Sequence, residues 1–121
     1  MDAVKDFVGV LLQNSGVSQI VSDRVYPFGS AVSNVPCIVY TPVPLTDDKI
    51  KQTWRIEVTA IAEQLSTAYA LDTACRAALL TLGDEARSSH LLQIEVNGGA
   101  ALFNQGTNTH HLTAYYYVTA K

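Results

Sequence analysis

From Thr53 to Ala62 apolar and polar side chains alternate: Trp54, Ile56, Val58 and Ala60 fall on one face, Arg55, Glu57 and Thr59 on the other. A period of two belongs to a strand packed on one side only. After the connection Glu63–Ser66 the period lengthens. Ala68, Leu71, Cys75, Ala78, Leu79 and Leu82 recur at three- and four-residue intervals and share one helical face. Ser66 stands where an N-cap can accept a bond from an orphan amide. Gly83 stands where a left-handed residue ends a helix. A strand running directly into a helix that can lie back across it predicts the nucleus of a two-layer α+β domain.

The flanking pattern extends this unit. Val4, Phe7, Val8, Leu11 and Leu12 form one stripe over residues 2–14, an amphipathic helix with Asp2 available as its cap and Gly16 beyond its end. Residues 17–25 read as a helical turn packing Ile20 and Val21, then an extended exit. Tyr26-Pro27-Phe28-Gly29 is turn chemistry, and Ser30–Val35 a polar loop. Pro36–Val43 is a strand opened by one proline and closed by Pro42 and Pro44, none of which can donate to a ladder. Leu45–Gln52, the most charged stretch, is too long for a tight hairpin and is expected to project as a loop. Beyond the polar loop Asp84–Ser89, Leu92, Ile94 and Val96 alternate inward against Gln93 and Glu95. Asn97-Gly98-Gly99 is a turn signal. Residues 100–108 fit a short strand or a loop carrying Phe103, and His110–Thr119 is the closing strand. The order α-β-β-α-β-β predicts one antiparallel four-stranded sheet with helices mainly on one face.

Composition narrows the class. At 121 residues, 1–121 is read as a single domain. A hydrophobic content of 48% with 16% charged residues excludes a disordered tail. That charged fraction lies below the usual quarter, leaving a Ser/Thr/Ala-rich surface and favouring association. The net charge is −3, and the eight basic residues are scattered singly. A phosphate grip draws on clustered cations, so specific nucleic-acid binding is not expected. No apolar run approaches membrane-spanning length, and Lys5 and Asp6 interrupt the only candidate signal-like stretch. The chain therefore reads as soluble and made in the cytoplasm. Cys37 and Cys75 read as small buried hydrophobes, consistent with a reducing compartment.

Catalytic and metal constellations do not emerge. His110 and His111 are adjacent on a strand and so point to opposite faces; His90 has no Asp, Glu or Cys at ligand spacing. No serine sits in a nucleophile elbow, and Asn97-Gly98-Gly99 lacks the lysine and helix of a phosphate loop. Asp47 and Asp48 lie in a loop, a poor platform for acid–base work, which needs fixed geometry. No active site, cofactor or metal is expected. Apolar surface stands out instead. Tyr69, Thr73, Ala77 and Leu80 make a second small-and-apolar stripe on the helix at 66–82, whose only charges, Asp72 and Arg76, are spaced to pair. Tyr115, Tyr116 and Tyr117 alternate across both faces of the last strand. The stripe, with Tyr115 and Tyr117, is the candidate subunit interface, since interfaces are enriched in aromatic residues and depleted of charge.

The blocks Asp23-Arg24-Val25-Tyr26-Pro27, Val35-Pro36-Cys37-Ile38-Val39-Tyr40 and Arg55-Ile56-Glu57-Val58-Thr59-Ala60, followed by an Ala-rich helix, carry a resemblance through their order and spacing. The chain resembles the tail-completion, or tail-terminator and head–tail joining, proteins of long-tailed bacteriophages and prophages. Cys37 stands where that pattern often has an aromatic. The resemblance implies a hexameric ring that ends the tail tube and presents a surface to the head, with no enzymatic activity and no cofactor. It implies as partners further copies of the chain, the tail-tube protein and a head-completion or connector protein, with DNA passing through unbound. It places the protein at the tail–head junction of the virion, and in the host cytoplasm during assembly. Asp47, Asp48, Lys49 and Lys51 then form the loop that touches the tail tube or a neighbouring subunit. A ring is a closed heterologous assembly and needs two different complementary patches on each subunit. The competing reading is a small ligand- or metal-binding α+β module, or an enzyme subunit, with its site near His90 and His111.

Overall fold

Eleven consecutive residue pairs join the two central strands, from Gln52 opposite Ala120 to Ala62 opposite His110. These are β3 (Gln52–Ala62) and β5 (Thr109–Ala120) of a computed structural model that describes residues 2–30, 34–80 and 91–120. Their pairing sets the two faces of the sheet. Ile56, Val58, Ala60 and Ala62 of β3 and Leu112, Ala114, Tyr116, Val118 and Ala120 of β5 are all buried on one side. Against that side lies α3 (Leu65–Leu80), which touches β3, β5 and β4 (Leu91–Asn104). It buries Ala68, Leu71, Cys75, Ala78 and Leu79, the stripe that the helical period predicts.

Two short helices complete the layer. α1 (Asp2–Gln13) sends Phe7 and Leu11 into the core, where the Phe7 ring meets Tyr116 edge-on, 5.8 Å between centroids at 66°. α2 (Ser15–Val21) adds Val17 and Val21. Asn14 separates the two helices, its Oδ1 accepting the Val17 amide at 3.1 Å as an N-cap. Gly16 therefore lies within a second helix rather than past the end of the first.

The sheet has five strands in the order β1-β2-β3-β5-β4, not four, and is mixed rather than wholly antiparallel. The additional strand, β1 (Val25–Pro27), runs parallel to β2 (Cys37–Asp47), with Tyr26 opposite Val39. Three residues are too few to carry an alternation, so the sequence gives only a turn signal there. Arg24 fastens this corner. Its Nε donates to the Pro36 carbonyl at 2.8 Å and its Nη2 to the Ile20 carbonyl at 3.2 Å, tying α2 to the entry of β2.

Three expected boundaries move for identifiable reasons. β2 does not stop at Val43; it continues to Asp47, with Pro42 opposite Ile56 and Pro44 opposite Trp54. The amides these prolines lack would point away from β3, so the ladder loses nothing. The stretch 45–52 is then a hairpin closed by the four residues 48–51, not a long loop. Asn97-Gly98-Gly99 is not a turn but a bulge inside β4, which runs on to Asn104. Gly98 takes φ +89°, and a Cβ on Gly99 would run into the Thr113 carbonyl oxygen of β5. Helix α3 begins at Leu65, with the Ala68 amide bonded to the Gln64 carbonyl, so Ser66 lies in its first turn rather than at its cap. Leu82, Gly83, the loop at 84–89 and His90 fall outside the described residues.

Both cysteines are free and buried. Burial pushes the Cys75 thiol up to about 12, with Asp72 adding to the rise. It pushes Cys37 up to about 11, with Arg24 opposing. Each thiol keeps its proton to higher pH in the folded chain than in the unfolded one, whose value is near 9.0. Above that pH the unfolded chain binds fewer protons, so stability falls as pH rises from about 9 towards 12. Urea unfolding across this range should give a falling midpoint, and a thiol reagent at pH 8 should label both cysteines only after unfolding. Gly99→Ala should cost about 1–3 kcal/mol in the same unfolding measurement, because the backbone of β5 cannot retreat without breaking the ladder.

Candidate functional site

The expected surfaces occupy distinct parts of this frame. On α3, Tyr69 is 55% exposed and Leu80 41%, with Thr73 and Ala77 also exposed on the helix side facing away from the sheet. Asp72 and Arg76, one turn apart, pair at 2.9 Å. Tyr69, Asp72 and Arg76 form one wall of a groove of about 280 Å³; Val96, Gly98 and Gly99 of β4 form the other.

Tyr115 and Tyr117 lie elsewhere, on the sheet face opposite the helices, while Tyr116 between them is fully buried. The tyrosine triplet therefore divides as a strand period requires. That open face is half-buried by its own side chains. The Arg55 guanidinium lies 5.7 Å from the Tyr115 ring centroid and 3.5 Å from the Glu57 carboxylate. The Thr59 and Thr113 hydroxyls bond at 2.9 Å, and Gln93 donates to Glu95 at 2.6 Å beside Tyr117. The α3 stripe and the two tyrosines are consequently two patches on opposite layers, not one continuous surface.

In the β2–β3 turn the acidic residues build the turn itself. Asp47 Oδ1 accepts the Lys49 amide at 2.9 Å. Asp48 Oδ1 accepts the amides of Lys51 at 2.7 Å and Ile50 at 3.0 Å. These bonds, that from Lys51 foremost, hold the Asp48 carboxyl below its usual range. What the turn offers a partner is Ile50, 80% exposed, flanked by Lys49 and Lys51, with Leu45 at 45% exposure below it. An isolated isoleucine within a charged stretch was the available signal for it.

The β4–β5 hairpin carries a comparable tip. Leu102 is 64% exposed and Phe103 42%, and the Asn104 side chain accepts the Gly106 amide at 2.9 Å to shape the turn. The sequence leaves 100–108 ambiguous because the bulge at Gly98-Gly99 breaks the alternation that would mark it as strand. The registers put the two tips at opposite ends of the sheet. One lies beyond Gln52 and Ala120, the other beyond Ala62 and His110. At the rise of an antiparallel strand those ends are roughly 33 Å apart.

The histidines divide as adjacent strand residues must. His110 packs its ring on Phe103, 4.7 Å between centroids, and His111 Nε2 lies 2.9 Å from Thr109 Oγ1. Burial lowers the His111 value. Among the described residues no three His, Cys, Asp or Glu side chains converge as metal ligands. No described helix is long and apolar enough to cross a membrane. The thiols, raised by burial, stay protonated at neutral pH and so offer no thiolate nucleophile.

Comparison with known proteins bears on the fold. No family model matches the sequence, and no curated protein matches it. The fold does match a chain of a solved structure described as the virion of a native gene transfer agent particle. The TM-score is 0.69 at 14% identity, over 96% of this chain and 92% of that one. The chain thus shares its fold, nearly end to end, with a component of a virion particle.

Proposed function

We propose that this chain is a structural subunit of a phage-like particle, working by assembly rather than catalysis. The more specific reading is a tail-completion or tail-terminator protein: a ring, hexameric in the resembled family, that caps the tail tube and joins it to the head. One observation carries it. Exposed apolar side chains project from both ends of the sheet, Leu45 and Ile50 at one and Leu102 and Phe103 at the other. A joining element has to contact different neighbours along one axis, and a subunit with two separated sticky ends meets that need. The α3 stripe, with Tyr69 and Leu80, and the open sheet face, with Tyr115 and Tyr117, supply two unlike lateral patches, as a heterologous ring requires.

The fold likeness to a virion chain supports a particle role, as does the sequence resemblance carried by the Arg24, Tyr40 and Arg55 blocks. The arrangement of Arg24 across α2, β1 and β2 gives the first block a structural reason to exist. A net charge of −3 without a cation cluster suits a conduit that DNA traverses unheld. In this reading the head-proximal and tail-proximal partners are a connector protein and the tail-tube protein.

The β2–β3 tip provides the test. Replacing Lys49-Ile50 by Asn-Gly keeps the hairpin, since the Asp48 amide already bonds the Lys51 carbonyl at 3.2 Å and Asn-Gly forms the two-residue turn between them. Purified variant should keep the circular dichroism of the parent, while particle preparations should contain unjoined tails or tails of irregular length. Ile50→Asp should act the same way with a smaller change to the backbone. Normal joined particles from both variants would contradict the role.

A further inference from the structure

The two edges of the sheet are built oppositely. On the β1–β2 side, as far as the bulge after Pro44, the outward positions offer no free amide. The Ile38 amide bonds the Arg24 carbonyl at 2.9 Å and the Phe28 amide bonds the Tyr40 carbonyl at 2.8 Å, so Arg24 and Phe28 face β2. Val25 and Pro27, between them, face away. The Val25 amide is already held by the Asp23 carbonyl at 2.8 Å, and Pro27 has none. Its carbonyl accepts the Ser30 amide at 3.2 Å. Past the end of β1, as far as the bulge after Pro44, the residues of β2 that would face outward are Pro42 and Pro44. Three prolines and one occupied amide close this edge to an incoming strand.

β4 forms the other edge and has none of these guards. In an antiparallel ladder the hydrogen-bonding direction reverses at each residue, so it can be followed across the sheet from Ile38. Val39 faces Thr59, Val58 faces Ala114, and Thr113 faces Ala100. The amides and carbonyls of Gly99, Ala101 and Phe103 are left pointing off the sheet. All three residues are exposed. From Val96 to Ala120 there is no Lys, Arg, Asp or Glu, so nothing in this stretch repels another uncharged strand.

We propose that β4 is a homophilic strand-pairing edge, at which Gly99, Ala101 and Phe103 bond antiparallel to the same strand of a second copy of this chain. The closed β1–β2 edge selects that mate, because a head-to-tail continuation of the sheet would have to bond to prolines. Centred on Ala101, the pairing sets Phe103 of each copy across from Gly99 of the other. Each aromatic ring then covers bare glycine backbone, a favourable cross-strand arrangement. Side chains at 101 from the two copies become direct neighbours about the two-fold axis. This inference does not depend on the proposed role in the particle.

Sedimentation of the full chain over micromolar to millimolar concentrations should reveal a monomer–dimer equilibrium. Ala101→Pro removes one outward amide and no bond to β5, copying the device used at Pro42 and Pro44. It should weaken dimerisation by about tenfold or more with little change in melting temperature. Ala101→Glu and Ala101→Lys should each be monomeric, and their mixture should form the heterodimer. That rescue is specific to self-pairing at this position and holds even if the proline variant folds poorly. A wild-type chain that stays monomeric throughout would overturn the proposal. So would charge variants that associate as wild type does, or a mixture that restores nothing.

Discussion

The central constraint is the ladder between β3 and β5, because it commits every even-numbered side chain from Leu112 to Ala120 to the helix side. A strand hydrogen-bonded on both edges cannot slip by one residue without turning its whole apolar set to solvent. Tyr116 marks the centre of this arrangement. Its ring is fully buried and meets Phe7 of α1, although its hydroxyl finds no hydrogen-bond partner among the described residues. Burying that hydroxyl unpaired costs something, and the aromatic contact and the surrounding aliphatic shell offset it. Shell and ring together fix where α1 and α3 lie. The helix layer therefore covers β3 and β5 most fully and thins out over the far part of β4.

Uneven coverage leaves apolar surface open. Ala101 to Asn108 are exposed beyond the groove beside α3, and the face bearing Tyr115 and Tyr117 carries none of the described helices. A monomer with few charges has little means of shielding such surface other than contact with something else. The structure manages one edge with prolines and a tied amide while leaving the other open. That asymmetry limits strand addition to one edge of the sheet.

Much of this was legible from residue order. The period-two run at 53–62 and the three-and-four spacing from Ala68 to Leu79 became β3 and α3 with their faces as read, because both are long and covered on one side. The exposure of Tyr69 and Leu80 followed from the same spacing. What could not be read depended on direction. Pro42 and Pro44 look like strand terminators until the side of the ladder their missing amides face is known. Gly98-Gly99 looks like a turn until β5 is seen to press against it. Asp47 and Asp48 read as solvated or partner-seeking charges, and both are exposed; residue order does not show that one oxygen of each also accepts amides of their own turn. Ile50 was hidden because a single apolar residue in a charged stretch leaves no period, and Leu102 because the bulge at Gly98-Gly99 breaks the alternation before it.

In the proposed role, the uncovered apolar side chains are contact surface within a particle. Hydroxyl-radical footprinting of Tyr69, Ile50 and Phe103 compares the free chain with the chain inside purified particles most directly. Tyr69 and Ile50 should oxidise readily in the free protein and become protected on assembly, and Phe103 should do the same when the free chain is dilute enough to be monomeric. Equal oxidation in both states, or particles that complete themselves without the chain, would contradict the claim.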